Sequence, residues 1–552
     1  MLRQRKLWYL LGVGLLLMVT ALAACGPTAN PGTSNGPKKG GSIIDGLYEE
    51  PDSLLPQGSI ETYADLVDAT IWAPLFYGDN TGIINAGLAK EVPTTSNGGI
   101  SSDGLTYTIH LRPNLKFSDG SPLTSDDVVF TIGLIQNKNF GAKTNPSVFA
   151  NIDSVSNPDP STVIIKLKEI NVAFLALALT DPINFTPLPK AVYGSMDPAT
   201  IFKSENNLKP AVTSGPFMIS DRVKADHITV KRNPNYYQAG KPYLDQITFK
   251  IIPDQNTILT ALQNGQIDTS WFLDINKLDQ YKAIQGYKVA LDKAPASYEA
   301  IYFNMKNAFL SDIKVRQAIT MGIDISPVIQ NIWKGIAVPT CDDGTGTFAH
   351  DPSLIPCYKH DPAGAKQLLE SDGFTMGSNG YYTKGGKTLE LRYSTTAGKA
   401  YREQTEQVVQ DQLKQIGIKI NIVNYPADTY FGSVLYDYGK YDIAEYANSL
   451  GYDPDNHTQW ACDQFTDKGG FNVSAWCNQT ADAAIKTEMT SVDQNARKAA
   501  FKTLYQQIIQ DLPAMYYYAF PDISVAKATL QNYAPSPSGP SETWNVWDWY
   551  LK

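Results

Sequence analysis

The stretch REQTEQVVQDQLKQIGIKINIVNY, residues 402–425, changes its hydrophobic period partway, and that change limits the folds open to the chain. Val409, Leu413 and Ile416 recur at helical spacing, Gly417 interrupts them, and Ile418, Ile420 and Ile422 then alternate. A helix that hands over to a strand is the building unit of an α/β domain. The pattern recurs along the chain. DGLTYTIHLRPNLKFSDG opens and closes on Asp-Gly turn signals and puts Leu105, Tyr107, Ile109 and Leu111 on one strand face, with His110 on the solvated face. LTSDDVVFTIGLIQ begins a helix in which Thr124 is the N-cap and Asp127 completes a capping box. DHITVKRN and DQITFKIIPD read as strands, and NTILTALQNGQID as a helix closed by Gly265. DIKVRQAITMGID and HDPAGAKQLLESDGF read as helices, the second with Asp361 as N-cap, Pro362 at its first position and Gly373 past its end.

The amino terminus is of another kind. Arg3, Arg5 and Lys6 precede an apolar run, Leu7 to Ala24, that ends in small residues before Cys25. This is the layout of an export signal, residues 1–24; the competing reading is a transmembrane anchor. Residues 25–40 are rich in Gly, Pro, Ser, Thr and Asn with no apolar period, and read as a flexible tether.

The 552 residues are 43% hydrophobic and 11% aromatic, enough for a large core shared by two or three domains. A formal charge of -9 without a Lys/Arg cluster argues against a nucleic-acid partner. Beyond Cys25 there are four cysteines, Cys341, Cys357, Cys462 and Cys477. In an exported protein they read as two disulfides, with Cys341–Cys357 and Cys462–Cys477 favoured because each closes a short loop. Zinc is the alternative, but its usual C-x-x-C spacing is absent.

Leu22-Ala23-Ala24-Cys25 resembles the lipobox of bacterial lipoproteins, which implies a lipid on Cys25 and a body anchored to the outer face of the membrane or in the periplasm. Five further stretches resemble the solute-binding proteins of bacterial ABC importers, family 5, the group serving oligopeptides, dipeptides, nickel complexes and some oligosaccharides. They are LTYTIHLRPNLKFSDGSPLTSDDVVF, VKRNPNYYQAGKPYLDQITFKIIPD, ALQNGQID, YFNMKNAFLSDIKVRQAITMGID and HDPAGAKQLLESDGF, in the family's order. The resemblance implies a two-lobed periplasmic-binding-protein-like fold (type II, cluster C). Lobe 1 would be 41–296 plus 515–552, with an inserted domain at about 81–190, and lobe 2 would be 297–514. It implies a monomer without cofactor, a peptide or other small-molecule ligand, and permease subunits with their ATPases as partners.

In peptide-binding members an aspartate of the second lobe pairs with the ligand's amine, and its place here is Leu450, with Glu445 or Asp453 as substitutes. Asn304, Tyr446, Asn448, Ser449 and Tyr452 from the second lobe, and Tyr48, Glu50, Trp271 and Phe272 from the first, are the other candidate ligand contacts. Nine Trp and 31 Tyr suit an aromatic-lined pocket, though burial in the core accounts for many of them. Arg316 reads as half of a structural ion pair. Asp453, Asp455, Asn456 and His457 lack the glycine and distal glutamate of an EF-hand, and no metal is expected. No nucleophile-elbow, zinc-protease, Walker or dinucleotide motif is present, so an exported hydrolase is the rival class and a binding protein the expectation. Oligopeptides lead as cargo; oligosaccharides, nickel and haem follow.

Overall fold

The structure is a computed structural model and describes residues 37–552 except 60, 145, 293–296, 450, 469 and 537–539. The leader, Cys25 and Leu450 lie outside the described residues. Among the described residues no helix is long and apolar enough to cross a membrane.

Two large sheets organise the body. In the first, the strands run in the order Tyr287–Leu291, Ile523–Lys527, Thr269–Ser270, Ser42–Leu47, Gln246–Ile251, His227–Arg232, Phe217–Val223. Ser42–Leu47 lies parallel to both of its neighbours. In the second the order is Lys419–Ile422, Glu390–Ser394, Ile443–Ser449, Ser297–Phe303, Ala514–Phe520, the first three mutually parallel. A third sheet of Thr106–His110, Thr162–Leu167 and Ile152–Asp159 falls within the stretch expected as an insertion. Its buried Tyr107, Val163 and Ile165 share one apolar cluster with Ile43, Leu47 and Phe249 of the first lobe.

The local signals act as physics requires. Thr124 and Asp127 form the reciprocal capping box of helix Ser125–Gln136, and Asp361 accepts a bond from Gly364 N at the start of Pro362–Ser371. Val409, Leu413 and Ile416 are buried on helix Ala400–Gln415 and its exit, and Gly417 takes a φ of +79° that turns the chain into Lys419–Ile422. Cys341–Cys357 and Cys462–Cys477 are bonded.

The return of the chain to the first lobe differs from expectation. Residue 515 falls inside Ala514–Phe520, which pairs along Ser297–Phe303 of the second sheet, and the first sheet resumes only at Ile523. The crossing is therefore at Pro521–Asp522. All seven residues of Ala514–Phe520 are buried, so the strand has no polar face by which its owner could be recognised. On the hinge side, Ile258 and Leu262 of the first lobe sit in one apolar cluster with Ile301 and Val315 of the second. Arg316 is also corrected: its guanidinium donates to the carbonyls of Leu310 (2.6 Å) and Asp511 (2.6 Å), so it ties backbone rather than pairing with a carboxylate.

Candidate functional site

Ser42–Leu47, Gln246–Ile251 and Thr269–Ser270 run parallel and therefore end at one edge of the first sheet. Glu390–Ser394, Lys419–Ile422 and Ile443–Ser449 likewise end together in the second. Carboxyl edges of parallel strands are where open α/β sheets hold ligands, because the loops leaving them are free of the ladder. Residues beyond the two edges touch one another, Lys399 of the second lobe lying over Phe272 of the first.

The first-lobe wall is aromatic. Ring centroids run Tyr48–Tyr63 6.5 Å, Tyr63–Trp271 5.9 Å and Trp271–Phe272 5.0 Å. Tyr48 is 39% exposed and Phe272 43%, while Trp271 is buried beneath them. Phe272 holds the left-handed φ of 56°, and its carbonyl is gripped by Gln255 Nε2 at 3.2 Å. The Trp271 indole N–H and the Tyr63 hydroxyl are buried without a protein partner, two donors on an otherwise apolar wall.

The second-lobe wall is polar. Thr395 Oγ1 and the Tyr430 hydroxyl donate to the Glu445 carbonyl at 2.9 and 3.2 Å. Below them Arg402 Nε is 2.9 Å from Glu299 Oε1, and both side chains are buried. Glu445 accepts from the Tyr393 hydroxyl at 2.8 Å, and Glu406 from Asn424 Nδ2 at 2.7 Å. Burial, then the charges of Glu299 and Glu406, push the Glu445 carboxyl far above its ordinary range. Burial pushes Glu406 up to about 7. Between Glu445 and Ser449 the strand pairs with Ser297–Phe303 on one side only, since its partner on the other side stops at Ser394–Ala444. On that side the Glu445 carbonyl is taken by Thr395 and Tyr430 and Tyr446 is buried, so the strand emerges toward solvent only over 447–449.

The lobes touch at several points. Lys399 Nζ sits 5.5 Å over the Phe272 ring. Burial and the nearby Arg402 charge lower the Lys399 pKa, while Glu49 of the first lobe opposes them. Val172 N donates to the Met489 carbonyl at 3.1 Å.

The residues singled out from sequence divide accordingly. Tyr48 and Phe272 are exposed over the buried Trp271, Asn448 donates to Gln459 Oε1 at 2.6 Å and accepts from Ser449 N at 2.8 Å, and Tyr452 reaches the first lobe at Gly78. Four others have structural partners. Glu50 takes Arg222 Nη2 at 2.6 Å and the Ala225 N–H at 3.0 Å. Asn304 caps the opposite end of the second sheet, donating to the carbonyls of Tyr438 and Tyr441 at 2.7 and 2.8 Å. Tyr446 is buried against Tyr302, rings stacked at 4.3 Å, and Asp453 is clamped by the Arg497 guanidinium. Of the two substitutes for the family aspartate, Asp453 is taken by Arg497, whereas Glu445 is buried with Oε2 bonded to Tyr393 and Oε1 without a hydrogen-bond partner. Tyr63, Thr395 and Lys399 were not anticipated. The sequence signal for Tyr63 is a polar tip within the apolar run of TYADLVDATI; Lys399 precedes a helix and has no local signature.

A family model described as "Bacterial extracellular solute-binding proteins, family 5 Middle" matches residues 84–469. The oligopeptide-binding protein AppA of Bacillus subtilis is 26% identical over 570 residues, covering 100% of this chain and 99% of AppA. Its structure in complex with a nonapeptide superposes with a TM-score of 0.74 at 25% identity, covering 94% of this chain and 100% of that one. NikZ from Campylobacter jejuni, solved in complex with Ni(L-His), gives a TM-score of 0.74 at 27% identity, covering 92% and 99%. The two-lobed α/β fold and these matches agree, and the chain belongs to the family 5 bacterial extracellular solute-binding proteins, a family of ABC-importer substrate-binding components and not of enzymes.

Proposed function

We propose that this protein captures oligopeptides between residues 41–292 with 523–552 on one side and 297–520 on the other, and delivers them to a membrane permease, itself held to the membrane by lipidated Cys25. The observation that carries the reading is the end of Ile443–Ser449 over 447–449, which leaves the core with a strand partner on one side only. An extended peptide can add there as a further strand, its backbone bonded to the edge and its side chains set against the aromatic wall. Such recognition uses main chain and tolerates many sequences. It also asks nothing of residue 450, where a leucine stands in place of the family's amine-binding aspartate.

Thermal unfolding in the presence of separate pools tests the cargo class, because a ligand of the native state raises the midpoint by mass action. A nonapeptide pool is expected to raise the midpoint, and xylo- or cello-oligosaccharides and nickel–histidine are not. A rise with either of the latter alone would replace the peptide reading.

A further inference from the structure

Tyr452 leaves the second lobe on the loop after Ile443–Ser449 and lays its ring against Gly78, the last residue of the first-lobe strand Phe76–Gly78. A β-carbon on Gly78 would stand 2.0 Å from Tyr452 Cζ, 2.1 Å from Cε1 and 2.6 Å from Cε2. Gly78 is not among the residues with positive φ, so its backbone would accept alanine. What excludes a side chain there is the tyrosine arriving from the other lobe.

The notch around that ring is built. Asp181 Oδ1 accepts from Gly78 N at 3.1 Å, and Asp181 N donates to the Phe76 carbonyl at 2.8 Å, so Asp181 holds the strand end that receives the ring. Asp181 is 1% exposed and holds a left-handed φ of 64°, a conformation a carboxylate residue adopts at some cost. Its second oxygen is buried, and the buried Tyr452 hydroxyl lies beside the carboxyl group. A ring from one lobe, a missing β-carbon in the other and a carboxyl group at the ring's tip thus coincide.

We propose that Gly78, Asp181 and Tyr452 form an interlobe seat that sets how much of this protein is closed, and through it the apparent affinity for cargo. Affinity measured for a protein whose binding-competent form is partly populated falls with that fraction, so a residue that never touches cargo changes binding through the population. The inference rests on the reading of the protein as a two-lobed binder that closes, and is independent of the cargo class.

The test is a double-mutant cycle read by small-angle X-ray scattering, ligand-free and with the nonapeptide pool. The variants are Gly78→Ala, Tyr452→Ala and the pair. In whichever condition the parent has the compact profile of this structure, Gly78→Ala should be expanded, and Gly78→Ala with Tyr452→Ala should be compact again, because the methyl has room once the ring is gone. Apparent affinity for the pool should fall about tenfold in Gly78→Ala and recover to the Tyr452→Ala value in the pair. Tyr452→Phe, which keeps the ring and removes the hydroxyl, should lie between parent and Tyr452→Ala. The proposal is overturned if Gly78→Ala scatters like the parent, if its defect persists undiminished beside Tyr452→Ala, or if the parent is never compact. A ligand-free difference that the cycle abolishes, together with a pool that binds no variant, would leave the seat standing and remove the peptide reading instead.

Discussion

Arg402 and Glu299 show what a single buried pair imposes. Arg402 donates to Glu299 at 2.9 and 3.3 Å, which balances its charge, and to the neutral Thr396 Oγ1 at 2.7 Å. Burial raises the Glu299 pKa, and Arg402 is the group that opposes it. Arg402→Met strands that carboxylate and should cost about 3–5 kcal/mol in urea denaturation, whereas Arg402→Met combined with Glu299→Gln should recover much of the loss. Asp292 and Asp522 behave differently. They stand at the two crossings between lobes, with Asp522 N donating to Asp292 Oδ2 at 3.0 Å. Burial and mutual repulsion push Asp292 up to about 8, and burial pushes Asp522 up to about 7. Both values lie above the ordinary aspartate value, so the folded protein binds more protons than the unfolded chain in between. The associated stability is present below about pH 4 and is lost as pH rises through 7–8. Asp292→Asn should flatten that decline and stabilise the protein by on the order of 1–3 kcal/mol at pH 9, measured as the change in urea midpoint against pH.

Elements were legible where their cause is local. The Thr124–Asp127 box closes within one turn, and Thr124→Ala should cost about 1 kcal/mol, read as a lower thermal midpoint. The two disulfides close loops of 16 and 15 residues, which is why pairing by proximity in sequence sufficed. Opening either one by a Cys→Ser pair should cost about 3 kcal/mol under oxidising conditions. The site was legible only in part. The family resemblance places Phe272 and Tyr48, and each sits just past a strand, Thr269–Ser270 and Ser42–Leu47. Asn304 and Tyr446 could not be placed from sequence, because whether a polar or aromatic residue faces a crevice or a core depends on the sheet that packs over it. Asn304 bonds to carbonyls more than 130 residues away, and Tyr446 stacks on a ring from a neighbouring strand. The boundary at 515 comes from the resemblance alone, and Ala514–Phe520, buried throughout, carries no pattern of its own that would assign it to one sheet.

At the scale of the molecule, the proposed function rests on two sets of parallel-strand ends with different surfaces, aromatic on one lobe and the emerging end of Ile443–Ser449 on the other. A ligand that engages both shifts the lobes toward the closed arrangement, while one that engages a single lobe shifts nothing. The resemblance in sequence anticipated this architecture because five segments in order report a chain path. It did not anticipate Tyr452 against Gly78, since the pairing joins residues on opposite lobes and the signal on the first lobe is a glycine without a turn. The most direct measurement of the account is a crystal structure of the protein mixed with the nonapeptide pool. Extended peptide density is expected alongside 447–449 and against the exposed rings of Tyr48 and Phe272. Saturating peptide with density elsewhere on the surface, or a different molecule occupying the space between those two walls, would contradict it.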